Sequence, residues 1–428
     1  MSAFKRLRGD VAVREAERAL VSEIRSLDPH YVAQESRFSP DNPGAATPAS
    51  ELATSAEFDD LLIRARTDSI RIEQLAAREL RNNFSTYLGP SQLASSLVDG
   101  YEQYAKTGNT RLDDFVTMRR AFTDTRGASN LAFSQVLASF SDVGAFDYST
   151  TMFTKRKEWT PYVRRAALAL RREGFFVLDE RLPDSFVTNL RDSITAQMDA
   201  SSGGKFSRSL AGTDRSTPQY KSSHESLTRL SGLYKLAADP VLRSIVAEYL
   251  GVEPIMNASV AFLNAPCDLT SHSDLSATAQ MYHHDMERLG FVKLFVYLTD
   301  VDESSGPHAV IPGTHRRRPG MLWEDGRHSD AELEREGVLD SEVRIYGPAG
   351  TVFMVDTSML HKGVHPQDNA RMMFQIQYAN SLFGRPIPSA ERKVSATRTD
   401  ASAETAQAAN LVRKYALSSG VRLIQNLI

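Results

Sequence analysis

From Ile255 onward the chain consists largely of short β-type runs, and this limits its fold more than any other feature. ASVAFLNA, FVKLFVYLTDV, HAVIP, GTVFMVDT and RMMFQIQYA are rich in β-branched and aromatic residues, and Gly, Pro, Asp and Ser clusters separate them. Parallel strands need crossover connections, usually helical, and no helix-length pattern lies between these runs. Many short strands without intervening helices predict a closed or sandwiched β structure, a jelly roll rather than a parallel sheet.

The sequence before this point has a different texture. Residues 1–160 read as helices, with apolar residues at helical spacing over Val11–Ile24, Phe58–Leu80, Leu93–Tyr104 and Leu112–Phe122. FSPDNPGAATPAS, residues 38–50, reads as a loop or linker. After Pro161, Tyr162–Glu173 is a basic amphipathic helix ended by Gly174, and GFFVLDERLP is a short strand and turn. Pro183–Met198 and Asp239–Leu250 are two more helices, the latter closed by Gly251. Ala401–Ile428 reads as one or two helices after a polar linker. The expected organisation is a helical N-terminal region (1–160), a β-rich domain (161–385), and a C-terminal linker and helix (386–428). The class is α+β.

Composition excludes several functions. The chain of 428 residues is 41% hydrophobic and 24% charged, enough apolar material for a large core. Its 50 basic and 53 acidic residues leave a net charge of −3, which gives no reason to expect a nucleic-acid or anionic-membrane partner. No apolar run approaches bilayer length, and the charged N-terminus lacks the apolar core of a secretory signal. Cys267 is the single cysteine, so an internal disulfide or Cys-rich metal site is excluded. A cytoplasmic protein is the simplest reading, and the expected partner is a small-molecule substrate. A homo-oligomer is left open.

The chemistry is concentrated in residues 280–316 and 350–379. His283 and Asp285 are two apart, and in an extended strand such residues share a face while His284 points away. A second histidine at a later strand end would complete a two-His, one-carboxylate set, which leaves three adjacent positions of an octahedral iron open. Two of these suit the keto-acid group of 2-oxoglutarate and the third O₂. His361 and His365 compete for the distal ligand position. His361 is preferred because it directly follows the strand GTVFMVDT, whereas His365 sits beside Pro366 in a loop. Arg371 opens the next strand and could grip the far carboxylate of 2-oxoglutarate through two parallel hydrogen bonds.

These segments resemble the phytanoyl-CoA dioxygenase family of Fe(II)/2-oxoglutarate oxygenases. The matching pieces are GFFVLDERLPDSFV, DPVLRSIVAEYLG, MYHHD, YLTDVDESSGPHAVIPGTHR and HKGVHPQDNAR, over roughly residues 162–384. The resemblance implies a double-stranded β-helix of the jelly-roll, cupin-like type. It also implies His283, Asp285 and His361 as Fe(II) ligands and Arg371 as the 2-oxoglutarate clamp. Many relatives have Ser or Gly at the position of Lys362, Trp at that of Tyr282, and small or neutral residues at that of Lys293. Residues 1–160 find no counterpart in the family.

Around the ligands, alternation on FVKLFVYL puts Lys293, Phe295 and Tyr297 inside the barrel and Val292, Leu294, Val296 and Leu298 on the packing face. A lysine inside a barrel needs an anion, either 2-oxoglutarate or an acidic substrate. Gln280 and Tyr282 are further candidates for contacting the co-substrate. His315 reads as a structural turn residue and HRRRPG (315–320) as a solvated loop. Asp285 favours hydroxylation, since alanine or glycine there would open a halide position. The competing readings are a cupin-like divalent-metal protein that does not use 2-oxoglutarate, a zinc hydrolase, and a helical scaffold protein. Arg371 argues against the first. The lack of a His-Glu-x-x-His helix argues against the second.

Overall fold

A computed structural model describes residues 71–83, 91–141, 143–154, 158–222, 224–227, 230–267, 278–386 and 422–423. The expected helix Val11–Ile24 and the linker at 38–50 lie outside these residues, as does nearly all of Ala401–Ile428. In that last segment only Arg422–Leu423 is described, and it is a strand rather than part of a helix. The described residues all fall within one compact unit.

The antiparallel β domain is built from two sheets. Its strands are β1 (Phe175–Val177), β2 (Gln219–Lys221), β3 (Ile255–Asn264), β4 (Phe291–Tyr297), β5 (His308–Val310), β6 (Val343–Ile345), β7 (Val352–Val355), β8 (His361–Gly363), β9 (Arg371–Ala379) and β10 (Arg422–Leu423). The large sheet runs β1-β7-β4-β9-β3-β10, with β2 also on β3, and only β10 joins parallel. The small sheet runs β6-β5-β8. A bridge from His283 to His361 adds a fourth segment to its edge, and a bridge from Tyr282 to His328 adds a fifth. From β4 onward the chain crosses to the small sheet for the β5–β6 pair, returns for β7, crosses again for β8 and returns for β9, which is the winding of a double-stranded β-helix.

Period-two alternation decides what each sheet buries. Phe295, Tyr297, Phe353, Val355 and Met373 face inward with Val310 and Ile345 from the small sheet, forming the barrel interior. Val292, Leu294, Val296, Met354, Phe374 and Ile376 face the opposite way, into a larger core shared with the helices. Burying each such side chain contributes about 1.5–3 kcal/mol, so a one-residue slip of β4 would forfeit both sets together.

The helices cover that outer face. Thr160–Glu173 starts with Pro161 in its first turn and stops at Gly174, which is left-handed at φ 84° and whose N–H returns to Leu170 O. A Cβ at Gly174 would stand 2.7 Å from His315 Nδ1 and 2.8 Å from Met359 Sδ, so a side chain has no room there. Pro240–Leu250 packs beside it, capped by Asp239, whose Oδ1 accepts from the N–H groups of Val241 and Leu242. Gln92–Thr107 buries Tyr101 and Tyr104, whose rings lie 5.3 and 5.5 Å from Phe383. The helix Ala128–Ser139 falls in the region read as helical, but its bounds could not be drawn from the sequence, because its apolar residues are spread around the axis instead of forming one stripe.

Candidate metal centre

His283 and His361 face each other across the edge of the small sheet. Each donates its backbone N–H to the other's carbonyl, at 3.0 and 2.9 Å. Both imidazoles project inward, with ring centroids 4.3 Å apart. In both residues Nδ1–H donates to the carbonyl two residues back, His283 to Met281 and His361 to Met359, each at 2.9 Å. That bond fixes the tautomer and leaves the Nε2 lone pair free to bind a metal. Asp285 follows on the same face, held by its N–H on Thr357 O at 2.7 Å. Its carboxylate lies 4.0 Å from His283 Nε2 and 3.6 Å from His361 Nε2. Among the described residues these three offer ligand atoms that all lie within 4.8 Å of one another.

Electrostatics suit the group to a divalent cation. Burial, reinforced by His361, pushes His283 down to about 3, and burial lowers His361 as well, so both imidazoles are neutral at pH 7. Burial alone would raise Asp285, but the charges facing it, the Lys293 ammonium first, outweigh it and hold the carboxylate well below its ordinary value. Two neutral nitrogens and one anionic oxygen are the donor set that an octahedral Fe(II) takes from a protein while keeping three positions for other ligands. The residues fit the ion.

Lys293 is inside the barrel, as alternation predicts. Its ammonium reaches Asp285 Oδ2 at 2.7 Å and Glu287 at 3.4 Å. Burial works against that ammonium, yet the two carboxylates outweigh it and raise its pKa. The anions the structure gives Lys293 are therefore these two side chains. Arg371 opens β9 on the same inner face as Met373 and is 2% exposed. Its Nη1 donates to Gly306 O and its Nη2 to Asn264 Oδ1, while Nε is buried without a partner among the described residues. Gly363, two residues beyond His361, gives this guanidinium room: a Cβ there would stand 2.8 Å from Nη2.

Tyr282 does not reach the site. It points out of the barrel into a cluster with Ile311, Leu322, Leu333 and Leu360, and its hydroxyl donates to Glu342. The alternation that turns His283 inward turns Tyr282 outward. Lys362, beside His361, faces outward for the same reason, with its ammonium on Asp330 at 2.7 Å and over the Tyr282 ring at 4.4 Å. Gln280 is buried with both amide atoms unpartnered among the described residues. His365 donates to or accepts nothing near the triad; its Nε2–H donates to Cys267 O at 2.7 Å. His315 Nε2–H donates to Arg171 O, a structural turn contact. The run HRRRPG is not wholly solvated, because Arg318 is buried with its guanidinium 4.1 Å from the Trp323 ring centre.

Two residues near the triad were not singled out from the sequence. His308 shares the inner face of β5 with Val310 and stacks 5.5 Å from His361 and 4.9 Å from Phe295, with Nε2 unpartnered among the described residues. The alternating run HAV was the available signal. Arg327 is the other, and it gave no sequence signal, since it lies in a loop that joins the sheet through one bridge.

Residues 170–365 match the family model described as Phytanoyl-CoA dioxygenase (PhyH). No curated protein matches the chain. Among solved structures, it is similar to SnoK, a non-haem α-ketoglutarate-dependent carbocyclase from nogalamycin biosynthesis. That alignment has 18% identity and a TM-score of 0.38, and covers 55% of this chain and 87% of that one. It is also similar to AviO1 from Streptomyces viridochromogenes Tue57, at 16% identity over 55% of this chain and 100% of that one, with a TM-score of 0.36. EctD from S. alaskensis with bound Fe aligns at 20% identity over 56% of this chain and 85% of that one, with a TM-score of 0.36. The stretch matched by the family model begins just before β1 and carries the His-x-Asp pair and the distal histidine, and over it the chain is similar to the phytanoyl-CoA dioxygenase (PhyH) family.

Proposed function

We propose that this oxygenase hydroxylates a small-molecule metabolite, with Fe(II) held by His283, Asp285 and His361 and 2-oxoglutarate anchored by Arg371. The observation that carries the reading is the triad itself: two histidines locked at Nδ1 and facing each other, with a carboxylate completing one face. When bound, Fe(II) with 2-oxoglutarate and O₂ supplies the oxidant for a substrate C–H bond, and the co-substrate leaves as succinate and CO₂.

The chain's own residues bind, orient and exclude water. Arg371 is held by Gly306 and Asn264 with Nε still free, so its fork is ordered before a carboxylate arrives, which limits the entropy lost on binding. Phe295, Phe353, Val310 and Met373 wall the interior with apolar surface and keep bulk water from the reacting position. The ammonium of Lys293 keeps Asp285 ionised and oriented. Asp285 would supply a carboxylate to the metal where an alanine or glycine would leave room for a halide, which favours oxygen insertion.

Anaerobic titration with Fe(II) and 2-oxoglutarate, followed by turnover against candidate metabolites, tests the proposal. The expected product is one oxygen heavier than its substrate, with one succinate formed per product. A product that has lost two hydrogens and gained no oxygen refutes hydroxylation.

A further inference from the structure

Tyr282 and His328 exchange both backbone hydrogen bonds, at 3.1 and 2.8 Å, so the segment 327–328 runs antiparallel beside 282–283. This register sets Arg327 opposite His283, as His361 is set opposite His283 on the other side. Residues opposite each other across neighbouring strands share a face, so His361, His283 and Arg327 form one inward-facing row with steps of about 5 Å. The outward-facing positions agree: Tyr282 and Lys362 are both on the outer side. The Arg327 charge is felt at all three candidate ligands. Its Nη1 is buried and meets no acceptor among the described residues, while the residue as a whole is half-buried and open to solvent on one side.

The segment that carries Arg327 is well anchored. The Trp323 indole N–H donates to Arg318 O at 3.1 Å, and its ring lies 5.5 Å from Phe122 of the helix Leu112–Asp124. Arg119 of the same helix pairs with Asp325. A guanidinium carried on an anchored segment at the edge of the site, with a free N–H, is a receptor for a carboxylate or phosphate group. Arg371 lies on the other side of His283, against Gly363 and Gly306, and is the residue assigned above to the far carboxylate of 2-oxoglutarate under the proposed function.

We infer that Arg327 binds an anionic group of the primary substrate, a carboxylate or a phosphate, and so selects acidic substrates. The inference rests on the oxygenase reading above and narrows its substrate class.

The test uses the full chain loaded anaerobically with Fe(II) and saturating 2-oxoglutarate, into which acetate or inorganic phosphate is titrated. Binding is followed by calorimetry and by the visible charge-transfer band of the Fe(II)–2-oxoglutarate complex. The wild type is expected to bind one of the two anions saturably, and the preferred anion separates carboxylate-bearing from phosphate-bearing substrates. Arg327→Gln should weaken that binding about ten-fold or more, as loss of a charge-assisted contact does. Arg327→Lys should recover part of it, which shows that the charge and not the fold was altered. Affinity for 2-oxoglutarate should change less than about three-fold in either variant. Equal anion binding in wild type and Arg327→Gln overturns the inference, as does a large loss of 2-oxoglutarate affinity, which would place Arg327 in the co-substrate site. If the wild type forms no charge-transfer band at all, the oxygenase reading itself fails and takes the inference with it.

Discussion

The Arg371 assignment can be tested without touching Arg371. Gly363 lies against its guanidinium, and a Cβ built there stands 2.8 Å from Nη2, well inside the 3.4 Å at which ordinary contacts begin. The end of a long side chain would normally swing away at little cost. This one is 2% exposed and pinned by Gly306 O and Asn264 Oδ1, so Gly363→Ala must displace the fork and break or bend one of those bonds. A hydrogen bond from a charged donor contributes about 1.5–3 kcal/mol, and a misdirected fork loses at least one such bond to the bound carboxylate. Affinity for 2-oxoglutarate should therefore fall by about ten- to a hundred-fold. Fe(II) affinity should hold, because His361 is fixed by its own backbone pair and its Nδ1 bond. The assay is the 2-oxoglutarate KM in steady-state turnover, with Fe(II) binding measured separately by anaerobic dialysis. An unchanged KM would show that Arg371 does not hold the co-substrate.

Other outcomes are expected from the same geometry. His283→Ala, Asp285→Ala and His361→Ala should each lose Fe(II) binding in anaerobic dialysis while far-UV circular dichroism stays native, and His365→Ala should keep its iron; retention of iron by any of the first three refutes the triad. Metal-free protein should lose stability as the pH falls below about 6.5. Burial depresses His283 to about 3 and His284 to about 2, so the unfolded chain takes up protons that the folded one refuses, and stability is full above the unfolded value and drains away below it at about 1.4 kcal/mol per pH unit for each imidazole. Urea midpoints that stay flat between pH 7 and pH 5 would contradict this. A chain shortened to begin near Lys155 should aggregate, because it uncovers Phe383 and the faces that Tyr101 and Phe133 cover; a soluble, fully active product would show that the helices are an independent module.

The strongly patterned parts of the fold were legible in the sequence. β9 coincides with RMMFQIQYA, and β4 divides its side chains between barrel and helix layer as alternation required. His283 and Asp285 could be paired because strand spacing puts them on one face, and His361 could be preferred over His365 because it directly follows GTVFMVDT. The strands β6 and β8 were not found, since VRI and HKG carry charged residues and lack the apolar, β-branched or aromatic run that marked the equally short β1 and β5. Tyr282 was misplaced because its neighbour His283 was weighed by proximity to the site and not by the strand's alternation. Arg327 was invisible for a different reason: its place is set by the bridge between its neighbour His328 and Tyr282, and no local pattern encodes a contact of that range.

The reciprocal pairing of His283 with His361 links the assembly of the site to that of the barrel. Two segments distant in sequence must arrive in one register before both imidazoles face inward, and a slip of one residue would turn Tyr282 or Lys362 inward instead. Half-formed versions of the site therefore offer one imidazole at most, and a metal ion has little to gain from any state short of the closed sheet. Iron binding should then act as a clasp on the finished barrel, raising the barrier to opening along this edge without drawing the chain into misregistered pairings.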